Sequence, residues 1–457
     1  MRDMAFSGLP LPLDWLKACS DFLLDIDENS MTSDRDKKKI RNACGLLYHA
    51  TKSVRILTHI SWPGHVREKF FAQKAKELPT VEYAPFDPSE ALERLVLARS
   101  SFSFSPMVNE WLNVTAFNIE TSAKMLAASG TADFFRYSSE IYGVPCDVLS
   151  DQENTTLSLA IQVDDAFREF QGLDLGAPDN AQVTASELAD HMRREVKQTF
   201  GELAPDVFLV DELSANALAG PSRIRIRNGA MFTDRDVQQL INHEAHIHVA
   251  TSLNGIGQPD LHILAASHPG TTKTQEGLAV FAEFITGSMD LDRFRRLADR
   301  VMAIQMAIDG ADFLEVYRFF LERIGEGEGS QEQAFENTRR VFRGGLLTGG
   351  APFTKDIVYL DGLVRVHNFL RTMVAAGRAD CLRLLFCGKM DLEDLPVIGQ
   401  FAEQGICAAP VFVPGWASDI RFLLCYMTYS SFLNQIDLKQ VKTHYAKMLD
   451  RIPRQEI

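Results

Sequence analysis

The sequence lacks the features that mark several large classes of protein. Its seven cysteines are odd in number, scattered, and form no C-x-x-C pair, which argues against a disulfide framework and suits free thiols in a reducing compartment. No apolar run approaches the roughly 20 residues that cross a membrane. The N-terminus also shows no apolar segment of a secretory signal. From these absences we predict a cytoplasmic protein with no membrane span.

Positive charge is scarce as well. The chain has 47 Lys and Arg residues against 61 Asp and Glu residues, a formal net charge of −14. Because nucleic-acid binding requires a basic face for the phosphates, no nucleic-acid partner is predicted. The run at residues 34–39 mixes basic residues with acids and is typical of a solvated helix face.

Helical periodicity dominates the first part of the chain. Apolar residues recur every three or four positions in residues 14–26, 89–100 and 109–129, as one face of an amphipathic helix requires. Most later segments are helical too. We predict an N-terminal, mainly helical region at residues 1–160 and a second region at residues 161–457.

A short β-rich section interrupts the helices. Residues 205–212 are rich in strand formers, and Arg and Ile alternate through residues 223–227, which predicts a strand with one wet face. Thr233 and Asp236 then occupy the N-cap and capping-box positions of the next helix. The predicted fold class is α+β, mostly helical, with a small sheet beside the helix that follows Thr233.

That helix carries an unusual group of histidines. The sequence INHEAHIHVA, residues 241–250, contains His243, Glu244, His246 and His248. At about 100° per residue, Glu244 and His248 lie in the middle of an otherwise apolar face, which points inward. Burying a carboxylate beside an imidazole is costly unless something compensates, and a metal ion is one such compensation.

Whether His243 joins them depends on the backbone. Five positions separate His243 from His248, which places them about 140° apart on a regular helix. A π-bulge would bring both onto one face, and such bulges are frequent at functional sites. Two alternatives stay open: a satisfied core histidine with the others at the surface, or His243 and His246 as a ligand pair. His246 is otherwise expected to face solvent.

A carboxylate further along the chain supplies a third candidate ligand. Glu276 opens the predicted helix QEGLAVFAEF, after a predicted loop at residues 267–274. Catalytic zinc typically has three protein ligands, with two His and one Glu as a known set. Gly277 would let another backbone approach closely. Alone, Glu276 is typical of an acid favoured at a helix N-terminus; beside the histidines, the ligand role is favoured.

Several motifs now agree in order with a known family. They are ISWPGHVREKFF, FFRYSSEIYGVP, IRIRNGAMFTDRDVQQLINHE, HEAHIH, QEGLA, TRRVFRGG and FTKDIVYLDG. Together they resemble the bacterial flavohaemoglobin expression-modulating QEGLA motif proteins, which are related to the eukaryotic microtubule-associated tyrosine carboxypeptidases. The resemblance extends over most of the chain.

The resemblance implies an H-E-x-x-x-H metallopeptidase with a zincin-like α+β catalytic region at residues 161–457. It implies Zn²⁺ bound by His243, His248 and Glu276, with Glu244 as the catalytic base. The eukaryotic relatives remove a C-terminal tyrosine from tubulin, and a bacterial-type member need not share that substrate.

A carboxypeptidase must also hold the terminal carboxylate of its substrate and stabilise the developing oxyanion. Arg343 and Lys355, in TRRVFRGG and TKDIVY, are the predicted carboxylate-binding residues. Tyr359 is the predicted oxyanion donor. The strand through residues 222–232 is a candidate to pair with an extended peptide substrate, by analogy with zincins, and a plain sheet strand is the alternative.

Two functions follow from this pattern. The leading prediction is a zinc-dependent carboxypeptidase acting on the C-terminus of a peptide or protein. The alternative is a non-enzymatic regulatory or binding protein with a structural metal site. A structural zinc would need a fourth protein ligand, for which His246, His262 and His268 are the candidates. The sequence leaves the oligomeric state open.

Overall fold

The computed structural model describes residues 34–169 and 182–433, apart from residues 212, 214, 326 and 328, together with residue 445. The helix predicted at residues 14–26 lies outside this part of the chain. Within it, no helix is both long enough and apolar enough to span a membrane. The α-helices are α1 (Asp34–Ser53), α2 (Ile56–His59), α3 (Gly64–Ala72), α4 (Ser89–Ser100), α5 (Pro106–Ala127), α6 (Ala132–Tyr142), α7 (Thr156–Glu169), α8 (Ala185–Phe200), α9 (Asp234–Leu240), α10 (Ala250–Ile256), α11 (Pro269–Ile285), α12 (Leu291–Ile308), α13 (Phe313–Ile324), α14 (Ser330–Phe342), α15 (Val358–Ala375), α16 (Cys381–Leu384), α17 (Leu395–Glu403), α18 (Gly415–Ser418) and α19 (Arg421–Leu433).

Short strands form the β part of the fold. They are β1 (Val183–Thr184), β2 (Asp206–Val210), β3 (Ala217–Ala219), β4 (Arg223–Arg227) and β5 (Met231–Phe232). β4 lies at the centre of a three-stranded sheet, parallel to β2 and antiparallel to β3. β1 and β5 form a separate antiparallel pair. In β4 the side chains of Ile224 and Ile226 are buried while Arg223 is exposed, so the predicted alternation is confirmed.

The helix after the sheet begins with the predicted capping box. The Thr233 hydroxyl accepts a hydrogen bond from the Asp236 N–H, and the Asp236 carboxylate accepts one from the Thr233 N–H. These two bonds satisfy backbone donors that the first turn of α9 would otherwise leave unpaired. α9 then continues directly into a π-helix, Ile241–Val249, which is followed by α10.

The π-helix lies between two hydrophobic clusters. Ile241, Ala245 and Val249 pack in one cluster with the buried residues of β4 and α8. Ile247 packs in the other, with helical residues that include Leu278. The polar groups of the π-helix are therefore held between the sheet and the helical core. A small sheet packed on a mainly helical protein confirms the predicted α+β class.

Helices from both ends of the chain share their cores. Leu47 of α1 and Leu112 of α5 belong to the same cluster as Leu278. Phe134 of α6 belongs to a second cluster with Phe313 of α13. Helices on either side of residue 160 therefore pack together. The predicted division of the chain at that residue stays a prediction.

Two glycines bring α11 and α15 into backbone contact. A Cβ atom added to Gly277 would lie 2.2 Å from the carbonyl oxygen of Gly362, far inside van der Waals contact. The reverse holds at Gly362, where a Cβ would lie 2.2 Å from the carbonyl oxygen of Lys273. The close approach predicted for Gly277 is confirmed. It brings the start of α15 beside Glu276.

Candidate metal centre

The π-helix brings the two histidines of H-E-x-x-x-H onto one face. In a π-helix the hydrogen bonds run from i to i+5, so residues five apart stack above one another. The rings of His243 and His248 lie 4.8 Å apart, centroid to centroid, and are nearly perpendicular. His243 and Glu244 are buried. The predicted distortion of this helix is confirmed, and a regular helix bearing one core histidine is not what forms.

Glu276 completes a group of three candidate ligands. One of its carboxylate oxygens, Oε2, lies 3.4 Å from Nε2 of His243 and 3.5 Å from Nε2 of His248. One ligand atom from each residue falls within 4.8 Å of the others. The prediction that Glu276 opens its helix is wrong: α11 begins at Pro269, since proline suits the first helical position, and Glu276 lies near the middle of the helix.

The donor set and its spacing fit a metal ion. Oε2 of Glu276 is buried and accepts no hydrogen bond from the described part of the chain, although a buried carboxylate oxygen without a partner is costly. Two imidazole nitrogens and a carboxylate oxygen are ligands that zinc prefers. Tetrahedral zinc, with ligands at about 2.0–2.1 Å, places its ligand atoms roughly 3.3–3.4 Å apart. The separations observed from Glu276 to the two histidines agree with that value.

Glu283 orients His243 from behind. Its Oε1 lies 2.7 Å from Nδ1 of His243, and the same carboxylate accepts two hydrogen bonds from Arg293, both of 2.9 Å. A further hydrogen bond of 2.8 Å comes from Gln239. A carboxylate on the outer nitrogen of a histidine ligand fixes the ring and its tautomer. Nε2 of His243 is thereby left to face Glu276.

Burial and the neighbouring charges shift the pKa values of these side chains in opposite directions. Burial lowers the pKa of His243, but the contacts with Glu276 and Glu283 outweigh it and raise the pKa to about 10. Burial would raise the pKa of Glu276, yet Lys355 and the two histidines hold it well below the usual range. For Glu283, Arg293 and His243 overcome burial and lower the pKa to about 2. A bound metal would take the place of the proton that the raised pKa assigns to His243.

Glu244, which is not one of the three candidate ligands, is fixed by a hydrogen bond to the sheet. Its Oε2 accepts a hydrogen bond of 3.0 Å from the N–H of Ala219. Ala219 ends β3, an edge strand of the three-stranded sheet. The N–H of the neighbouring residue, Gly220, donates to β4. Successive residues of a strand direct their backbone groups to opposite sides, so the groups of β3 that point away from β4 face the site. Glu244 therefore projects from the π-helix toward an open strand edge.

The prediction that the Arg–Ile strand pairs with a substrate is wrong in its choice of strand. β4 is central, and its two hydrogen-bonding edges are already paired with β2 and β3. A central strand has no free N–H and C=O groups to offer a peptide. The edge next to Glu244 belongs to β3.

The remaining histidines named by the sequence lie outside the ligand group. Nε2 of His246 lies 3.0 Å from Oε1 of Glu195 on α8, and its Nδ1 is 3.3 Å from Oδ1 of Asn242. His246 is therefore partly buried, not solvent-facing as predicted, and it cannot pair with His243 as a ligand. His262 is exposed, and His268 precedes α11. Burial lowers the pKa of His268 to about 4.

Among the residues that the structure describes, Arg343 is a buried cation without an anionic partner. Its side chain is only 4% exposed, and its Nε makes no hydrogen bond. The neighbouring Arg339 and Arg340 instead form ion pairs with Glu336 and Asp356. Burial, followed by repulsion from Arg340, lowers the pKa of Arg343 to about 10. A guanidinium in this state is a ready binding partner for a carboxylate.

Lys355 lies beside both Glu276 and Tyr359. Nζ of Lys355 is 3.4 Å from Oε1 of Glu276 and 5.1 Å from the centre of the Tyr359 ring. The Tyr359 hydroxyl is 3.4 Å from Nη2 of Arg340. Lys355 thus contacts the proposed ligand Glu276, in addition to the substrate role predicted for it. Of the three residues predicted from the TRRVFRGG and TKDIVY motifs, Lys355 contacts Glu276 and Tyr359 lies beside Lys355. The Arg343 guanidinium lies 5.7 Å from the centre of the Phe353 ring.

Lys389 is a charged residue near the centre that the sequence analysis missed. It is 8% exposed, and its Nζ donates a hydrogen bond of 2.6 Å to the Ser267 hydroxyl. Burial lowers its pKa to about 8, opposed by attraction from Glu276 and Glu244. Its backbone N–H is bonded to the carbonyl of Leu264. Among the described residues it forms no ion pair, so its charge is available to another group.

Two histidines and a glutamate define a candidate metal-binding site of the kind found in metallohydrolases. His243 is buried, and His248 and Glu276 are half-buried. The sequence matches the family model described as "Microtubule-associated tyrosine carboxypeptidase" over residues 68–435. This span is well over half of the chain and contains every residue of the candidate site. The chain belongs to that family, which confirms the relationship predicted from its motifs. No curated protein matches the sequence.

Proposed function

We propose that this protein is a zinc-dependent carboxypeptidase that removes a C-terminal residue from a peptide or protein. The observation that carries the proposal is that His243 and His248 converge on Oε2 of Glu276. This oxygen is buried and accepts no hydrogen bond from the described residues. The family to which the chain belongs is described as microtubule-associated tyrosine carboxypeptidase, which supports the reaction class. The free thiols of the chain, Cys44 and Cys387 among them, suit a cytoplasmic setting.

His243, His248 and Glu276 would hold the zinc ion. Zinc bound there would polarise the scissile carbonyl and activate water for attack, since three protein ligands leave one position open.

Glu244 performs the proton transfers. Its Oε2 is fixed by the Ala219 N–H at 3.0 Å, which leaves Oε1 to take a proton from the attacking water. The same carboxylate then passes that proton to the leaving amine. A general base needs a fixed position within hydrogen-bonding distance of the water, and the bond to β3 supplies that restraint.

Arg343 binds the terminal carboxylate of the substrate. Among the described residues it is buried and forms no ion pair, and a guanidinium can bind a carboxylate through two parallel hydrogen bonds. Lys355 supports it while also holding Glu276. Binding of a carboxylate here would compensate the charge that burial now leaves unpaired.

Tyr359 and Lys389 stabilise the developing oxyanion. The Tyr359 hydroxyl is available as a donor while Arg340 donates to its oxygen. Lys389 acts near Glu244, where it has hydrogen-bond donors beyond the one used by Ser267. Donors held in place before the reaction stabilise charge that appears only in the transition state.

The alternative of a structural metal is less well supported. A structural zinc would require a fourth protein ligand. In the described part of the chain, the group contains three residues and none of His246, His262 or His268 joins it. A site with three ligands fits catalysis better than a closed structural site.

The reaction is tested with a mixed pool of peptides that end in different residues, with the released amino acid identified by mass spectrometry. We expect the wild type to release one class of C-terminal residue, and Glu244→Gln to release none. Gln can still accept the Ala219 N–H bond, so the fold around it is kept. The matched control is Glu187→Gln on α8, an exposed N3 residue of a capping box. Equal release by wild type and Glu244→Gln would reject the proposed function.

A further inference from the structure

Tyr142 is a buried phenol whose hydroxyl makes no hydrogen bond with the described part of the chain. It is the last residue of α6 and belongs to the segment FFRYSSEIYGVP. Its side chain is only 2% exposed, and a buried tyrosine hydroxyl usually has a partner because an unpaired polar group in the interior is costly. The oxygen is not among the fully enclosed polar atoms that lack a partner, so it keeps some accessible surface.

Helix α6 brings Tyr142 close to Lys355. Ser138, one turn earlier on α6, accepts a hydrogen bond of 3.0 Å from the Thr354 N–H, and the hydroxyl oxygens of Ser138 and Thr354 are 2.9 Å apart. Residues four apart on a helix share a face, so Tyr142 lies on the face of α6 that packs against Thr354. Thr354 directly precedes Lys355, whose charge acts on the Tyr142 hydroxyl.

The charges that surround Tyr142 are those of the candidate active site. Lys355, Arg343, Asp356 and Glu276 all act on its hydroxyl. Burial has the largest effect and raises the pKa of Tyr142, against the attraction of the two cations. The phenol is therefore protonated at neutral pH. A protonated phenol has one O–H to donate, and an anion is the acceptor to which it donates most strongly.

Phe353 joins Tyr142 to Arg343. The ring centres of Tyr142 and Phe353 are 5.6 Å apart, and the rings are nearly perpendicular, at 83°. The Arg343 guanidinium lies 5.7 Å from the centre of the same Phe353 ring. The phenol and the guanidinium are therefore neighbours around one aromatic side chain. Within the described residues, neither the Tyr142 hydroxyl nor Arg343 is bonded to an anion.

We infer that the Tyr142 hydroxyl binds the terminal carboxylate of the substrate together with Arg343. The inference rests on the proposed carboxypeptidase function and adds a substrate-binding residue to it. A carboxylate has two oxygens, so it can accept hydrogen bonds from a guanidinium and a phenol at once. The nearby carboxylates of the protein are already engaged: Asp356 accepts two hydrogen bonds from Arg340, and Glu276 is a candidate metal ligand. The anion that both donors lack is therefore supplied by the substrate.

The test measures peptide binding to the zinc-loaded Glu244→Gln protein, in which a bound peptide is not cleaved. The probe is the peptide of the mixed pool that the wild type cleaves fastest, prepared as the free acid and as the C-terminal amide. Isothermal titration gives Kd for each. Adding Tyr142→Phe should raise Kd of the free acid about 10–100-fold, the loss of a hydrogen bond to a charged group, and leave Kd of the amide unchanged. In protein that retains Glu244, Tyr142→Phe should raise KM for the free acid by a similar factor with little change in kcat.

Tyr137→Phe is the matched control, because Tyr137 is a partly buried tyrosine of the same helix whose ring contacts Arg136. It should leave both Kd values unchanged, and thermal unfolding establishes that each variant is folded. An unchanged Kd for the free acid in Tyr142→Phe overturns the inference, as does equal weakening of acid and amide. A fall in kcat alone assigns Tyr142 to the oxyanion and overturns it too. These outcomes leave the proposed function intact, whereas a wild type that cleaves no peptide of the pool removes both.

Discussion

Nδ1 of His243 lies 2.7 Å from Oε1 of Glu283, a carboxylate with no exposed surface. The contact joins the π-helix to α11 and restricts the rotation of the two side chains that form it. It fixes the direction of the ring, and with it the position of Nε2 opposite Glu276. The ligand group depends on this relationship as much as on the ligands themselves.

Glu283→Gln should weaken metal binding while the ligands stay intact. The variant keeps a hydrogen-bond acceptor but loses the charge that orients His243, and changes of this kind cost about 10–100-fold in metal affinity. The measurement is competition for zinc against a chromophoric chelator. Glu195→Gln is the matched control, because Glu195 makes the same kind of contact with His246. Equal zinc affinities in the two variants would contradict the assigned role of Glu283.

Arg343→Gln should raise KM for peptides with a free C-terminal carboxylate by about 10–100-fold, the loss of one charge-assisted hydrogen-bonding partner. A peptide amide lacks that carboxylate and should be affected little. Removing a buried cation that has no anion should leave the free energy of unfolding unchanged or slightly higher. The measurements are KM and kcat for the two peptides and a denaturant titration. Loss of stability with an unchanged KM would assign Arg343 to the fold instead.

The sequence motifs predicted some residues of the metal centre and missed others. The i, i+5 spacing of His243 and His248, set in an apolar face, could only place both histidines inward on a distorted helix, and the π-helix has that distortion. Glu283 could also have been predicted, because it lies two helical turns after Glu276 and residues seven apart share a face. It was not predicted because the motif gives a reason for only one carboxylate ligand on that helix.

Other features depend on tertiary contacts that no local pattern reveals. Lys389 follows Cys387 and Gly388 in a short connection with no periodicity, and it reaches the site through a bond to Leu264. The edge position of β3 was hidden because residues 217–219 carry no alternation of polar and apolar side chains. The Arg–Ile alternation of β4 reports one wet face, and this says nothing about which strands lie beside it.

The activity should fall at alkaline pH if the Lys389 ammonium is required. The pKa of Lys389 is lowered to about 8 by burial, so the charged form is present below that pH and is lost as the pH rises through it. A zinc ion beside it would lower this value further, which places the limb near or below pH 8. The measurement is kcat/KM as a function of pH.

Substitutions at Lys389 separate its charge from its packing. Lys389→Arg keeps the cation and should extend activity to higher pH, because arginine does not titrate in this range. Lys389→Met fills similar volume without charge and should lower kcat by roughly 100-fold, the loss of one oxyanion donor. An alkaline limb at the same pH in wild type and Lys389→Arg would exclude Lys389 as its source.

Gly277→Ala should force α11 and α15 apart. The added Cβ would lie 2.2 Å from the Gly362 carbonyl oxygen, and overpacking of this kind costs about 1–3 kcal/mol of unfolding free energy. The shift should also weaken the contact of Lys355 with Glu276. Gly399→Ala is the control within α17, since its Cβ would meet Leu384 at an ordinary 3.7 Å. Unfolding by urea should separate the two variants, and equal stability would contradict the close contact.

The metal content of purified protein tests the central claim most directly. We predict one zinc per chain by elemental analysis in wild type, loss of that zinc in Glu276→Ala, and its retention in Glu244→Gln, because Glu244 is not a ligand. Glu187→Gln should match wild type. Retention of zinc by Glu276→Ala, or absence of any zinc after incubation of wild type with the metal, would contradict the assignment of His243, His248 and Glu276 as a metal centre.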